Sequence, residues 1–404
     1  MSQPGRMGSG TARYRDVLGI GEFRWLFAAH LISMLGDVVA VVALTVLVYQ
    51  RTRSAALAAS VFALAFVPYP FGGSVAGAVA DRFPARRVLV VCNLISAAVV
   101  AVMTLPGLPI AGLLGLLFTV SLIAPVFGGV RAASLPDILP AGSPYVLGRS
   151  LIRMVSQSAQ VAGYAIGGLL LSATTPRQAL ALDAGSFAIS AGMLQLGTHH
   201  RPARTGPTKS MARDSLAGLH AVLSHPQLRR VLWFSWLIPA CAVAPEALAT
   251  PYVTQIGQPA HTAGYLLCGL PIGTLTADLI AGRLLSRRSQ RRLILPAATL
   301  IFVPLLAFAV RPDLPIAIAL LFASGLGFSY TPGLDSLFID AAPLPLRNQA
   351  LATSGAGLMF VQGIGFMMWG LAGQYGPLTA VIPAAAAAGV LTVAVLRPRT
   401  SDLT

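Results

Sequence analysis

The sequence predicts an all-α membrane protein of twelve transmembrane helices in two six-helix halves, and three observations carry that prediction. Of 404 residues, 55% are hydrophobic and 10% charged, with a mean hydropathy of +0.75, which leaves too little polar material to coat a soluble globule. Apolar stretches of the roughly 20 residues needed to cross about 30 Å of hydrocarbon recur between short charged interruptions. The runs Val88 to Val102 and Ala384 to Val395 do not alternate apolar with polar, so they do not fit the strands of about 10 residues that build a membrane barrel.

In order, the polar, Gly- and Arg-rich stretch 1–23 reads as a cytoplasmic tail. It has no apolar core with a small-residue cleavage site behind it, so the first span is expected to direct insertion. Spans follow near 24–50, 54–80, 87–106, 108–130, 146–173 and 178–197, forming an N-terminal bundle over 24–197. The polar stretch 198–228 reads as a cytoplasmic linker, with Leu216, Leu219, Val222 and Leu223 spaced as an amphipathic helix lying along the membrane. A second set near 229–255, 262–285, 293–310, 314–338, 348–373 and 377–396 forms a C-terminal bundle over 229–397, and 398–404 is a short cytoplasmic tail.

The net charge of +15 would suit a nucleic-acid partner if it lay on a folded soluble surface. Here it lies between apolar spans. On this topology 24 of the 28 basic residues, Arg131 among them, fall on the side of the N-terminus, and Arg51, Arg53, Arg177 and Arg311 on the other. The positive-inside rule then places both termini in the cytoplasm of a multi-pass cell-membrane protein and accounts for the charge without a binding partner. Cys92, Cys241 and Cys268 lie inside apolar segments without metal-type spacing, and His199-His200 has no further ligand cluster, so neither a metal nor a cofactor is expected.

The most specific motif lies between spans two and three, Gly77-Ala-Val-Ala-Asp81-Arg82-Phe-Pro-Ala-Arg86-Arg87. Gly77 permits close helix approach, and Asp81 can accept hydrogen bonds from arginines or a neighbouring helix N-terminus and latch one conformation. A shift of 205 residues superposes Gly77, Arg82, Arg86 and Arg87 on Gly282, Arg287, Arg291 and Arg292, with Ser286 in place of the acid. Asp137 and Pro140 match Asp340 and Pro343 at 203; Gln160, Gly163 and Gly168 match Gln362, Gly365 and Gly370 at 202. A slowly drifting offset is what an internal duplication with small deletions leaves.

These residues resemble the loop motif of the major facilitator superfamily, commonly G-x-x-x-D-R-x-G-R-R, and the resemblance covers nearly the whole chain. It implies two parallel six-helix repeats that rock about a midplane site. Gly163-Tyr-Ala-Ile-Gly167-Gly168 is similar to the end of the family's antiporter motif, G-P-x-x-G-G, with Tyr164 in place of proline. Arg24-Trp25-Leu26, Leu35-Gly36-Asp37 and Val48-Tyr49-Gln50 are similar to the macrolide-efflux and siderophore-exporter branch. An arginine midway through span four is common in the family's proton-coupled exporters; the run Leu116 to Gly129 contains none.

Ionisable groups in hydrocarbon cost about 2.5–3.5 kcal/mol each on insertion scales, so those retained there are functional candidates. His30, Ser33 and Asp37 share one face of span one, and Asp37 with His30, Glu246 and Asp278 are the proton-coupling candidates. Asp183 ranks behind them. Asp137, Asp335 and Asp340, near Arg131, Arg149 and Arg347 in the sequence, read as interfacial ion pairs. Ser33, Tyr69, Gln160, Trp233 and Gln362 are candidates to line a substrate cavity.

No G-x-x-x-x-G-K-[ST] loop is present, so an ion gradient rather than ATP is the expected energy source. No cluster of nucleophiles and acids suggests an enzyme. The expectation is a proton-coupled exporter of hydrophobic or amphipathic small molecules, working in the lipid bilayer without an obligate protein partner. An uptake symporter or facilitator on the same fold stays open.

Overall fold

The computed structural model describes residues 13–70, 79, 82–202, 222–343 and 347–397. Every described element is helical, because hydrocarbon offers no partner to a backbone N–H or C=O and a helix satisfies both internally. Gly77 and Asp81 lie outside the described residues, as do Leu216 and Leu219 of the linker.

A short helix α1 (Tyr14–Gly19) leads into α2 (Gly21–Thr52), followed by α3 (Ala55–Phe66), α4 (Ala85–Met103), α5 (Ile110–Ile138), α6 (Ser143–Ala173) and α7 (Pro176–Gly197). Local sequence sets several starts. Ser54 accepts the Leu57 N–H, Thr175 and Gln178 form a capping box, and Pro176 occupies the first turn. Gly107 and Gly142 make turns at φ 86° and 93°.

The second half begins with α8 (Pro226–Ala242), α9 (Ala244–Ala247) and α10 (Ala249–Gln255), one apolar path bent by 40°. Pro239, Pro245 and Pro251 account for the bend, since each removes a backbone donor. Near the end of α8 the Ala240 carbonyl accepts a hydrogen bond from Trp369 Nε1 at 2.9 Å. Then come α11 (Ala263–Leu284), α12 (Arg287–Arg292), α13 (Ile294–Phe302) with a 3-10 extension Pro304–Val310, α14 (Leu314–Leu326), α15 (Thr331–Ala341), α16 (Arg347–Tyr375) and α17 (Leu378–Leu396).

Among the described residues, eight helices are long and apolar enough to cross a membrane, nine if the bent path is one span; Ala55–Phe66 and Ile294–Val310 are apolar but shorter. One expected boundary needs correction. Span four does not stop at residue 130: α5 runs on to Ile138 through Pro136, so Arg131 is a helix residue and not part of a cytoplasmic loop.

In the first half α7 packs along α2 and α4, and α6 along α2. In the second, α11 packs on α14, and α8 on α16 and α17. The halves meet along two helix pairs, α3 with α16 and α6 with α11. Both contacts are made by small residues, which is how helices associate in a solvent as apolar as their own side chains. A Cβ on Gly264 would lie 2.6 Å from the Gly168 amide nitrogen, and one on Gly370 would strike Ala59. Phe62 and Phe366 stack between them at 5.0 Å.

At the N-terminal end of α2 a buried carboxylate gathers the start of the linker. Glu22 receives the His199 backbone N–H at 3.0 Å and two bonds from Arg201, at 2.5 and 2.8 Å. Arg201 also donates to the Asp137 carbonyl at 3.1 Å, so α2, α5 and the segment after α7 are tied together. These bonds hold the Arg201 guanidinium above its ordinary pKa. Val222 and Leu223, beyond the undescribed part of the linker, pack on the core of the second half. Replacing Glu22 by Ala is expected to cost about 1–2 kcal/mol, read as a lowered unfolding midpoint in detergent with new protease cleavage near residues 199–202. An unchanged midpoint and cleavage pattern would show that the clamp holds nothing.

Candidate functional site

The first-half helices surround a cavity of about 280 Å³ whose mostly apolar wall carries several polar side chains. His30, Ser33 and Asp37 come from one face of α2, Asn93 and Ser96 from α4, Arg131 from α5, Ser156 from α6, and Tyr69 from the segment after α3. Helical spacing on α2 does the first step of this assembly: residues three and seven apart fall on one side. The remaining polar groups converge because each helix turns its few polar residues away from lipid.

The hydrogen bonds inside the cavity are sparse. His30 Nε2 lies 3.2 Å from Ser156 Oγ, and Ser33 Oγ donates to the His30 carbonyl at 3.2 Å. Asn93 Nδ2 donates to the Leu89 carbonyl at 3.0 Å. Arg131 acts electrostatically on His30 and Tyr69, and Asp37 on Tyr69. Its guanidinium lies 5.8 Å from the Phe127 ring centre, yet its Nη1 is buried with no hydrogen-bond partner among the described residues. A buried guanidinium donor left open is expensive, so the cavity needs water or a movable acceptor beside it.

Sequence reasoning missed Arg131 as a site residue because the charge was assigned to a loop. The signal was there: Arg131 lies one helical turn beyond Phe127, and helix-forming Arg131-Ala-Ala-Ser134 continues the apolar run without a break. The ion pairs expected at the helix ends are also repartnered. Arg291 of α12, not Arg347, pairs with Asp340 and donates to Ser336 Oγ at 3.0 Å. Arg347 donates to the Ile339 carbonyl at 3.2 Å.

The other candidates are not brought together with Asp37. Glu246 lies on α9, in the bent path, where it acts on Tyr164 of α6 across the two halves; Gln160 Nε2 approaches that Tyr164 hydroxyl at 3.4 Å. Asp278 of α11 shares the field of Arg153, on α6, with Asp335 of α15. Trp233 is 40% exposed and packs edge-on to Trp236 at 5.4 Å. Gln362 is half-buried on α16. Ser33 and Tyr69 therefore line the first-half cavity, whereas Gln160, Trp233 and Gln362 do not.

Among the motif residues, Arg82 and Arg87 are exposed, while Arg86 reaches the Gln195 carbonyl at the end of α7. Gly282 closes α11, and Arg287, Arg291 and Arg292 belong to α12. The three glycines of the antiporter-like motif divide their contacts. Gly163 and Gly167 press α6 onto Val38 and Val42 of α2, and Gly168 faces Tyr265 of α11.

A family model described as Transmembrane secretion effector matches residues 17–401. The multidrug efflux pump Tap of Mycolicibacterium fortuitum is 28% identical over 408 residues, covering 94% of this chain and 96% of the relative. The Tap pump of Mycobacterium tuberculosis is 28% identical over 323 residues, 75% of each chain. Among solved structures, the nucleoside transporter NupG is similar with a TM-score of 0.76 at 16% identity, covering 93% of this chain and 98% of that one. A D-xylose–proton symporter has a TM-score of 0.69 at 15% identity, covering 94% and 98%. These structural likenesses show the fold alone.

The open Arg131 donor gives a stability test. Replacing Arg131 by Met keeps the stem and removes the charge, so the unfolding free energy in detergent, read from denaturant titration, is expected to hold or to rise by about 1–2 kcal/mol. A fall of that size would show that the guanidinium has structural partners.

Proposed function

Because this chain belongs to the transmembrane secretion effector family of major facilitator transporters, we propose that it is a proton-coupled exporter of hydrophobic or amphipathic small molecules working by alternating access. The observation that carries the reading is the cavity in the first half. It sets Asp37, a carboxyl group within an apolar helix, in the same space as an arginine with an open donor. Asp37 and Arg131 line the same cavity and both act on Tyr69, so a proton gained or lost by Asp37 changes the charge that Arg131 meets there, and the arrangement of α2 against α5 would follow the protonation state. Moving one charge inward gains about 2.3 kcal/mol per 100 mV of membrane potential.

Efflux rather than uptake is favoured by the two relatives named as multidrug efflux pumps and by the antiporter-like glycines of α6. Twelve crossings follow if the second expected span, near 54–80, is counted as one and if the α8–α10, α13 and α14–α15 paths each count as one. The halves are then 24–197 and 229–397, joined by 198–228, with both termini and the tails 1–23 and 398–404 in the cytoplasm. Two interfaces, α3 with α16 and α6 with α11, relate the same helices of each half by exchange, as a duplicated architecture requires.

In this orientation the glycine contacts between Gly168 and Gly264 and between Ala59 and Gly370 lie towards the outer face. They consist of van der Waals contact and can part at low cost. Arg153 with Asp278 and Asp335 lies towards the cytoplasm, where it can attract the halves in the opposite state. Glu246, between the halves beside Tyr164, is placed to meet a substrate or a second proton. Asp81, with Arg82, Arg86 and Arg87, would latch the cytoplasmic side.

Transport of a panel of lipophilic dyes and antibiotics into inverted membrane vesicles under an imposed pH gradient tests the reading. The natural protein is expected to accumulate at least one compound. Asp37→Asn and Arg131→Met are expected to reduce that accumulation about tenfold or more while the protein still inserts. Accumulation unaffected by collapsing the gradient would replace the exporter by a facilitator, and gradient-driven loss from the vesicles would replace it by an uptake symporter.

A further inference from the structure

A second carboxyl group lies behind Asp37. Asp183 of α7 is 2% exposed, and its Oδ1 accepts a hydrogen bond from Ser186 Oγ at 3.1 Å. It approaches α2 closely because the residue before Asp37 is Gly36. A Cβ at Gly36 would collide with both Ser186 Oγ and Asp183 Oδ1.

Asp37 and Asp183 line one chamber of about 40 Å³ whose remaining wall is apolar, including Val41, Leu44, Leu117 and Leu180. A cavity needs about 10–15 Å³ of such space to hold a water, so the chamber has room for water. Among the side chains lining it, the two carboxyls are the groups able to bond that water. Asp37 also lines the 280 Å³ cavity, where the buried, open Nη1 of Arg131 calls for water. Asp37 therefore stands between the larger cavity and this small chamber, whose lining also includes Asp183.

The charges around the pair are one-sided. From α2 the chamber receives Asp37, from α7 Asp183, and from α4 and α5 apolar groups. Arg131, His30 and Tyr69 lie on the other side of Asp37, in the larger cavity. Two carboxylates that line one small apolar chamber, with no cation among the side chains lining it, repel each other when both are ionised.

We infer that Asp183 is a second proton-carrying residue of the transporter, sharing one proton with Asp37 through water in the chamber they both line. This rests on the reading of Asp37 as the coupling residue. In the transfer the O–H bond of the Asp183 carboxylic acid breaks as its proton passes to the water. The water gives one of its own protons to the Asp37 carboxylate, and the pair keeps one negative charge throughout. In the reverse transfer the proton returns to Asp183, and Asp37 lines the larger cavity in its ionised form while the proton waits in the small chamber.

Infrared spectra of the purified full-length protein in nanodiscs, taken across pH, test this without any transported compound. The carboxyl C=O band of Asp37 is isolated as the difference between the natural protein and Asp37→Asn, and again between Asp183→Asn and the double variant. The titration range of that band is expected to differ by about one pH unit or more between the two pairs, the size of a like-charge interaction across one small chamber. Asp183→Ser, which leaves Ser186 a hydroxyl partner, serves if Asp183→Asn does not fold. Superimposable titrations would overturn the inference and leave Asp183 a packing residue, even with Asp37→Asn abolishing gradient-driven transport. Coupled titrations together with an Asp37→Asn protein that still transports under the gradient would overturn the transport role of both carboxyls, and with it the reading on which this one rests.

Discussion

A charged side chain that enters hydrocarbon has to bring its solvent with it, and the first half of this protein is arranged around that requirement. Asp37, Asp183, His30 and Arg131 come from three helices, and each would face lipid or dry packing if its helix were rotated by half a turn. Collecting them around a cavity supplies polar neighbours and room for water, which lowers the cost of keeping ionisable groups at depth. The helix directions follow: α2 must present the face of residues 30, 33 and 37 inward, and α4, α5 and α7 must close around it. Gly36 belongs to the same constraint, since α7 approaches α2 there with a carboxyl group and a hydroxyl between the backbones.

The contacts between halves answer a different requirement. On the proposed alternating-access reading they have to be specific and still separable, and close contact through glycine and alanine suits both conditions. Shape fixes the register, because a Cβ on Gly264, Gly363 or Gly370 would meet the opposite helix. Among the described residues, hydrogen bonds between the halves are long ones, Cys268 Sγ to the Val161 carbonyl at 3.7 Å and Thr254 Oγ1 to the Tyr49 hydroxyl at 3.4 Å. Rigid bundles joined by a low-cost seam are suited to a rocking motion, whereas the clamp of Glu22, Arg201 and His199 keeps the linker fixed to one bundle as it leaves.

The second half shows how backbone polarity is managed where a helix breaks. Prolines punctuate the bent α8–α10 path, and the indole of Trp369 donates to the Ala240 carbonyl near the end of α8. Glu246 is carried into the interface between halves on this interrupted segment, near Tyr164. An ionisable group on a bent helix can change its surroundings with a small backbone movement, which a group on a straight helix such as α2 cannot do without moving the whole helix.

The sequence by itself determined the solvent, the helical class and the family, because hydropathy, span length and the loop motif with its displaced copy depend on residues near one another in the chain. It also marked Asp37 and His30 as exceptional, since polar groups within an apolar run are visible in one dimension. Only the tertiary structure decided their company. Arg131 looked like an orientation charge because hydropathy ends a span at the first arginine, yet α5 continues and turns that arginine into the cavity. Asp183 looked secondary because nothing local links residue 183 to residue 37; the link is Gly36, whose missing side chain lets two helices distant in sequence bring their carboxyl groups to one small chamber.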